Sequence, residues 1–229
     1  MQGDARSFDP EYLWNLETGI KAALGSRGHA DLAVFYEKRH DQQVRTGVQL
    51  TPGDPNSYQF ITTNLPKGYG TGIEASLQYE LTRGFGVGAS LGLLRTRSGS
   101  FTMQDEDGNP VQVPSRENAH APPYTAAINA TWRGSSGFMA RIDFTAMDAF
   151  YFDVPTDHDM KSKAYTLTNL KAGYEREHWS VYAWLRNAFD KDYAVRGFYF
   201  ANEPPDWENK LYTQRGDPRQ FGLTASLNF

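Results

Sequence analysis

The 229-residue chain has no cysteine, which removes disulfides, thiolate metal sites and cysteine nucleophiles from consideration. It also lacks any run of about eighteen apolar residues, so it encodes no membrane-crossing helix. There is no surplus of basic residues: 23 Lys and Arg stand against 27 Asp and Glu, a formal net charge of −4. With a pI near 5.7, the chain offers no electrostatic footprint for nucleic acid. The first ten residues show neither the basic nor the apolar region of an export signal. An exported protein with this start is expected to be a mature chain or a piece of a longer one.

Aromatic residues are abundant: 14 Phe, 13 Tyr and 5 Trp. A mean hydropathy of −0.61 resembles that of a soluble protein. A transmembrane barrel has the same average, because its apolar residues occupy every second position and the alternate positions face a polar interior. The pattern along the chain is therefore more informative than the mean. From Arg219 to Phe229 apolar and polar residues alternate without a slip. Phe221, Leu223, Ala225, Leu227 and Phe229 share one parity, and Gln220, Gly222, Thr224, Ser226 and Asn228 share the other. In a strand these sets point to opposite faces. Terminal residues fray unless they are held, and pairing both edges of the last strand in a closed barrel holds them.

The same period predicts about nine strand-like segments. Residues 13–24 set Trp14, Leu16, Ile20 and Ala22 against Asn15, Glu17 and Lys21, and residues 29–39 set Ala30, Leu32, Val34 and Tyr36 against Asp31 and Glu37. Residues 72–81, 85–96, 124–132, 138–146, 167–175 and 179–189 follow the rule, and the terminal strand completes the set. The connections alternate in length. Short turns near 25–28, 82–83, 133–137 and 177–178 separate long stretches at 41–57, 97–118, 152–163 and 190–216 that contain Gly, Pro and acidic residues. Brief periplasmic turns and extended outer loops give a bacterial outer-membrane barrel this rhythm. In-strand charges such as Glu74, Glu80, Arg141, Asp143 and Lys171 fall on the polar parity, where water tolerates them and lipid does not. Counting back from the C-terminus, the first strand descends from outside. Single-chain barrels have even strand counts, so the expected fold is all-β: the C-terminal portion, about nine or ten antiparallel strands, of a larger up-and-down transmembrane β-barrel.

Several segments have a more specific likeness. Asn187-Ala188-Phe189-Asp190-Lys191-Asp192-Tyr193 resembles the Asn-Leu-Phe-Asp-Lys-x-Tyr signature of TonB-dependent outer-membrane receptors, and residues 216–229 resemble that family's closing strand. Asn15 to Lys21 after Pro10-Glu11, the strand opening Gly72-Ile73-Glu74, and Ala121-Pro122-Pro123-Tyr124 match in order and spacing. The resemblance implies a barrel of about 22 strands with a plugged lumen, sited in the outer membrane of a Gram-negative bacterium. It implies uptake of a scarce ligand, most often a ferric siderophore, driven by TonB through a box at the receptor's N-terminus. It implies no enzyme activity and no cofactor. Against that pattern, this sequence lacks the box and the plug, so residues 1–229 are expected to be barrel alone.

Two sets of residues are site candidates. Within 190–216, Phe198, Tyr199, Phe200, Trp207 and Tyr212 lie among Arg196 and Arg215, a composition suited to planar, anionic ligands; a loop packed on the barrel rim would have the same residues. Gly222, Ala225, Leu227 and Phe229 resemble the signal read by the barrel-assembly machinery, with lipid as the other partner of this strand. Asp157-His158-Asp159 is read as a solvated loop, because no serine or second histidine accompanies it. Asp105 to Asn109 fails as a calcium loop, because Pro110 and Arg116 occupy the required glycine and glutamate positions. A small passive porin-like barrel and a soluble β-sandwich binding module are the alternative readings.

Overall fold

The computed structural model describes residues 8–49, 58–104, 109–152, 160–201, 203–205 and 209–228. Among these, thirteen strands form and no helix. Nine make one antiparallel sheet: β1 (Tyr12–Ala23), β2 (Gly28–Gln49), β3 (Tyr58–Thr82), β4 (Phe85–Ser98), β7 (Tyr124–Arg133), β8 (Phe138–Met147), β9 (Tyr165–Glu175), β10 (Trp179–Arg186) and β13 (Gln220–Leu227), adjacent in that order. The other four pair as hairpins within the outer connections: β5 (Phe101–Gln104) with β6 (Pro110–Val113), and β11 (Ala194–Ala201) with β12 (Asn209–Arg215).

Register converts the sequence parity into two continuous faces. Tyr79, Val87, Ala130, Ile142, Leu170, Leu185 and Phe221 form one row across seven strands. One residue along, the opposite face carries Glu80, Gly86, Thr131, Arg141, Lys171, Trp184 and Gly222. Because side-chain direction alternates with period two, a slip of one residue at any pair would mix the rows. No second sheet covers the apolar row among the described residues, and Leu16, Ile20, Ile128 and Phe221 are 76%, 68%, 58% and 83% exposed. A β-sandwich would bury such a face against a second sheet.

Three of the short turns use a glycine at positive φ: Gly25 (64°), Gly84 (83°) and Gly137 (90°), a conformation in which a Cβ is strained. At this end of the apolar face the rings of Trp132 and Phe138 lie 5.7 Å apart, and those of Phe138 and Tyr174 5.6 Å. Tyr124 begins β7 at the opposite end, eight residues from Trp132. At about 3.3 Å per residue that is about 26 Å along the strand. Tilted by about 40° as barrel strands are, it spans about 20 Å of the membrane normal between its aromatic ends.

Three aromatic rings on the polar face lie opposite glycines. Phe35 pairs with Gly72, Tyr182 with Gly173 and Trp184 with Gly222, and each ring occupies the space a Cβ on its glycine would need. The ring covers backbone that the glycine leaves bare.

The outer connections depart from expectation. Residues 42–49, part of the stretch 41–57 read as a polar loop, are strand: β2 and β3 stay paired from Gln42↔Leu65 to Gln49↔Tyr58. The ladder skips Asp41, at φ 55°, where the facing strand has Pro66 and so no amide N–H to donate. Residues 97–118 and 190–216 likewise contain hairpins.

Candidate functional site

The chain leaves β10 at its outer end through the Asn-Ala-Phe-Asp-Lys-Asp-Tyr segment, which works as a clasp. Asn187 is 4% exposed and sits at φ 45°, a left-handed conformation that asparagine tolerates better than most residues. Its Nδ2 donates to the carbonyls of Lys191 (3.0 Å) and Asp217 (3.1 Å), its Oδ1 accepts from Lys191 N (2.8 Å), and its own amide donates to Asn169 Oδ1 (2.9 Å). Asp190 Oδ1 accepts from Arg219 N at 2.8 Å, and Gly216 N donates to Tyr193 O at 2.9 Å. The Tyr193 ring lies over Gly216 and 4.5 Å from Tyr165. Both ends of a long connection are thereby fixed to neighbouring strands, and the β11–β12 hairpin rises from a rigid base.

The hairpin unites part of the expected ligand set. Phe198 pairs with Tyr212, Arg196 with Gln214, and Ala194 with Arg215, with a bulge between the last two. The Arg196 guanidinium is 5.9 Å from the Phe198 ring centre, a cation–π distance, and Phe198 is 48% exposed. Arg215 pairs with Asp192 at 3.0 Å, both well exposed. Desolvation, then the Glu203 carboxylate, raises the Tyr212 phenol pKa above its ordinary value. Tyr199 and Phe200 lie in β11 opposite Leu211 and Lys210; Trp207 falls outside the described residues.

Of the closing-strand set, Ala225 and Leu227 lie on the apolar face with Phe221 and Leu223, opposite Val181 and Trp179, whereas Gly222 is on the polar face beneath Trp184. Leu223 and Leu227 are 78% and 70% exposed. Among the described residues β13 is paired along one edge, and β1 is the opposite edge of the sheet. Phe229, Asp157 to Asp159 and Asp105 to Gly108 lie outside the described residues. Among the described residues no cluster of three or more histidine, aspartate or glutamate side chains could hold a metal.

The polar face carries two side-chain clusters whose members parity placed on one face but did not bring together. Arg141 grips Asp143 through two nitrogens, the shortest contact 2.5 Å, and its Nη1 donates to Thr131 Oγ1 at 3.2 Å. Toward the short turns, Tyr182 donates to Glu175 at 2.6 Å, Arg133 donates to the same carboxylate at 3.2 Å, and Lys171 Nζ sits 3.6 Å from the Tyr182 ring centre. Arg39 with Glu37, Arg133 with Glu175 and Arg141 with Asp143 form ion pairs on this face. They form a hydrated wall and no catalytic constellation.

Sequence reasoning missed the side chains that join the outer connections. Phe150, Phe152 and Met160 are at most 5% exposed, and Leu65 and Val113 are 2% exposed. The one signal was Phe150-Tyr151-Phe152, an aromatic triplet entering a polar loop.

A bare, apolar sheet face opposite a charged one, with short turns at one end and built-up connections at the other, defines a section of transmembrane β-barrel wall. The profile of the family described as TonB dependent receptor-like, beta-barrel matches residues 2–188, and the chain belongs to that family. Solved structures agree on the fold. The ferric yersiniabactin uptake receptor of Yersinia pestis aligns at TM-score 0.71 and 19% identity, over 97% of this chain and 30% of that one. The siderophore receptor PiuA of Acinetobacter baumannii aligns at 0.72 and 17%, over 98% and 29%. The copper transporter OprC aligns at 0.69 and 18%, over 97% and 32%. The chain thus spans about 30% of the length of the receptors it matches.

Proposed function

We propose that residues 1–229 form the C-terminal portion of the barrel of a TonB-dependent receptor in the outer membrane of a Gram-negative bacterium, taking up a ferric siderophore or a similar metal chelate. The supporting observation is the uncovered apolar face spanning nine strands, which only lipid or detergent can satisfy. On this reading the long connections, and the β11–β12 hairpin with them, lie outside the cell. There Arg196, Phe198 and Tyr212 offer a cation and aromatic faces to a planar, anionic chelate, with Tyr199, Phe200, Trp207 and Arg215 as the remaining candidates. The assembly machinery reads β13, and TonB supplies the energy. The protein is a transporter and not an enzyme.

The test is uptake of radiolabelled ferric chelates by cells that lack their own siderophore receptors and express the full reading frame, with and without a functional TonB. TonB-dependent accumulation in cells whose outer membrane holds the protein is the expected result. Equal uptake without TonB would establish a passive porin-like barrel. Recovery of a monomer in plain buffer would establish a soluble module.

A further inference from the structure

Three consecutive residues at the start of the β8–β9 connection each engage a different neighbour. The Phe150 amide donates to Ser162 Oγ at 2.9 Å, and its ring lies 5.3 Å from His120, in the β4–β7 connection. Tyr151 forms isolated bridges to Ala119 on one side and Lys161 on the other, and its carbonyl accepts from the His120 amide at 2.8 Å. Its ring is flanked by two cations, Arg116 at 4.6 Å and Lys161 at 4.9 Å. Lys161 is also 3.7 Å from Glu117. Phe152 turns the other way: its ring packs 5.5 Å from Phe150 and over Gly197 of β11. A Cβ at Gly197 would fall less than 3.0 Å from three Phe152 ring carbons.

Gly197 has no positive φ, so its backbone does not require glycine; the Phe152 ring does. Phe152 is itself 5% exposed and held by its amide, which donates to Met160 O at 2.8 Å. These contacts lie beyond the nine-stranded ladder, which is complete without them. Their effect is to bind the β4–β7 connection, the β8–β9 connection and the β11–β12 hairpin into one body.

The geometry points to Phe152, seated on Gly197, as the positioning residue of the β11–β12 hairpin, with Tyr151 tying that position to the β4–β7 connection. This deepens the uptake reading and rests on it for the hairpin's role as ligand surface. A ligand held by Arg196 and Phe198 then meets a hairpin whose placement is set from a neighbouring loop. Preorganisation of this kind reduces the ordering that binding requires.

The test reads structure and needs no ligand, so its failure is separable from failure of the uptake assignment. Residues 1–229 contain no cysteine, so spin labels are placed there without background once any cysteine elsewhere in the full-length protein is replaced. Gln112→Cys with Gln214→Cys reports the distance between the two outer hairpins in the full-length protein in lipid vesicles, and Ser26→Cys with Glu177→Cys reports two short turns as a control. The expected result is a single narrow outer distance that Phe152→Ala broadens about twofold or more, as restrained loop motion is released, while the control distance is unchanged. Gly197→Val is expected to shift the outer distance, and adding Phe152→Ala to it to reverse most of that shift. An outer distance indifferent to Phe152→Ala would overturn the proposal. So would equal broadening of the control pair, which would make Phe152 a general fold residue.

Discussion

Of the six apolar side chains buried among the described residues, five (Leu65, Val113, Phe150, Phe152 and Met160) belong to the outer extensions and connections; the rest of the sheet contributes Met139 alone. The sheet is the larger body, yet it has almost no core. The two regions solve the same problem in different solvents. In the wall, apolar side chains point away from the protein, and each strand between β1 and β13 pairs its backbone on both edges, as lipid demands. In the outer connections both sides meet water, so the chain buries a small core of its own and ties its loops with side-chain bonds such as those of Asn187. One polypeptide thus follows membrane rules up to the strand ends and soluble rules beyond them.

The strongest way to break this comparison is to put one charge on each side of the wall. Leu91 and Ser90 are adjacent and exposed on opposite faces of β4. Leu91→Arg is expected to destabilise the barrel in vesicles by about 2–4 kcal/mol, whereas Ser90→Arg should change it by under about 1 kcal/mol. Denaturant unfolding of both variants measures the difference; equal effects would mean that the sheet faces are not in different solvents.

The outer region should depend instead on individual polar groups. Asn187→Ala removes three side-chain hydrogen bonds at a buried site, with an expected loss of about 2 kcal/mol, and should loosen residues 190–219 to proteolysis before the sheet unfolds. A third variant probes the polar face where wall and aromatic packing meet. Gly222→Val forces the Trp184 ring off the strand, an overpacking expected to cost about 1–3 kcal/mol. The added change Trp184→Ala should relieve part of it in a double-mutant cycle.

The smallest effect on stability is expected at the hairpin rim. The exposed Arg215–Asp192 pair should contribute under about 1 kcal/mol, so Arg215→Ala should leave unfolding unchanged. If the hairpin binds an anionic chelate, the same variant should weaken ferric chelate binding measured by titration. This outcome would mark Arg215 as a ligand residue and not a structural one.

The wall was legible because lipid on one side and water on the other impose period two on every strand. The parity of Leu91, Ile128 or Phe221 could therefore be read without coordinates, and two of the short turns were marked by Gly25 and Gly137. The outer half was not legible for the converse reason. Where water or another loop meets both faces, as from Gln42 to Val44 and from Ala194 to Phe198, strands lose the alternation that announces them. Of the candidate site, the aromatic and basic composition of residues 190–216 was visible, whereas the pairing of Phe198 with Tyr212 and the seat of Phe152 on Gly197 were not.

By itself, then, the sequence determined which residues face which solvent, because that is a local property repeated every second position. Tertiary structure decided which rows align across seven strands, which glycine lies beneath which ring, and which loops meet at Tyr151. Those depend on the stagger between strands far apart in the chain, which no local period encodes.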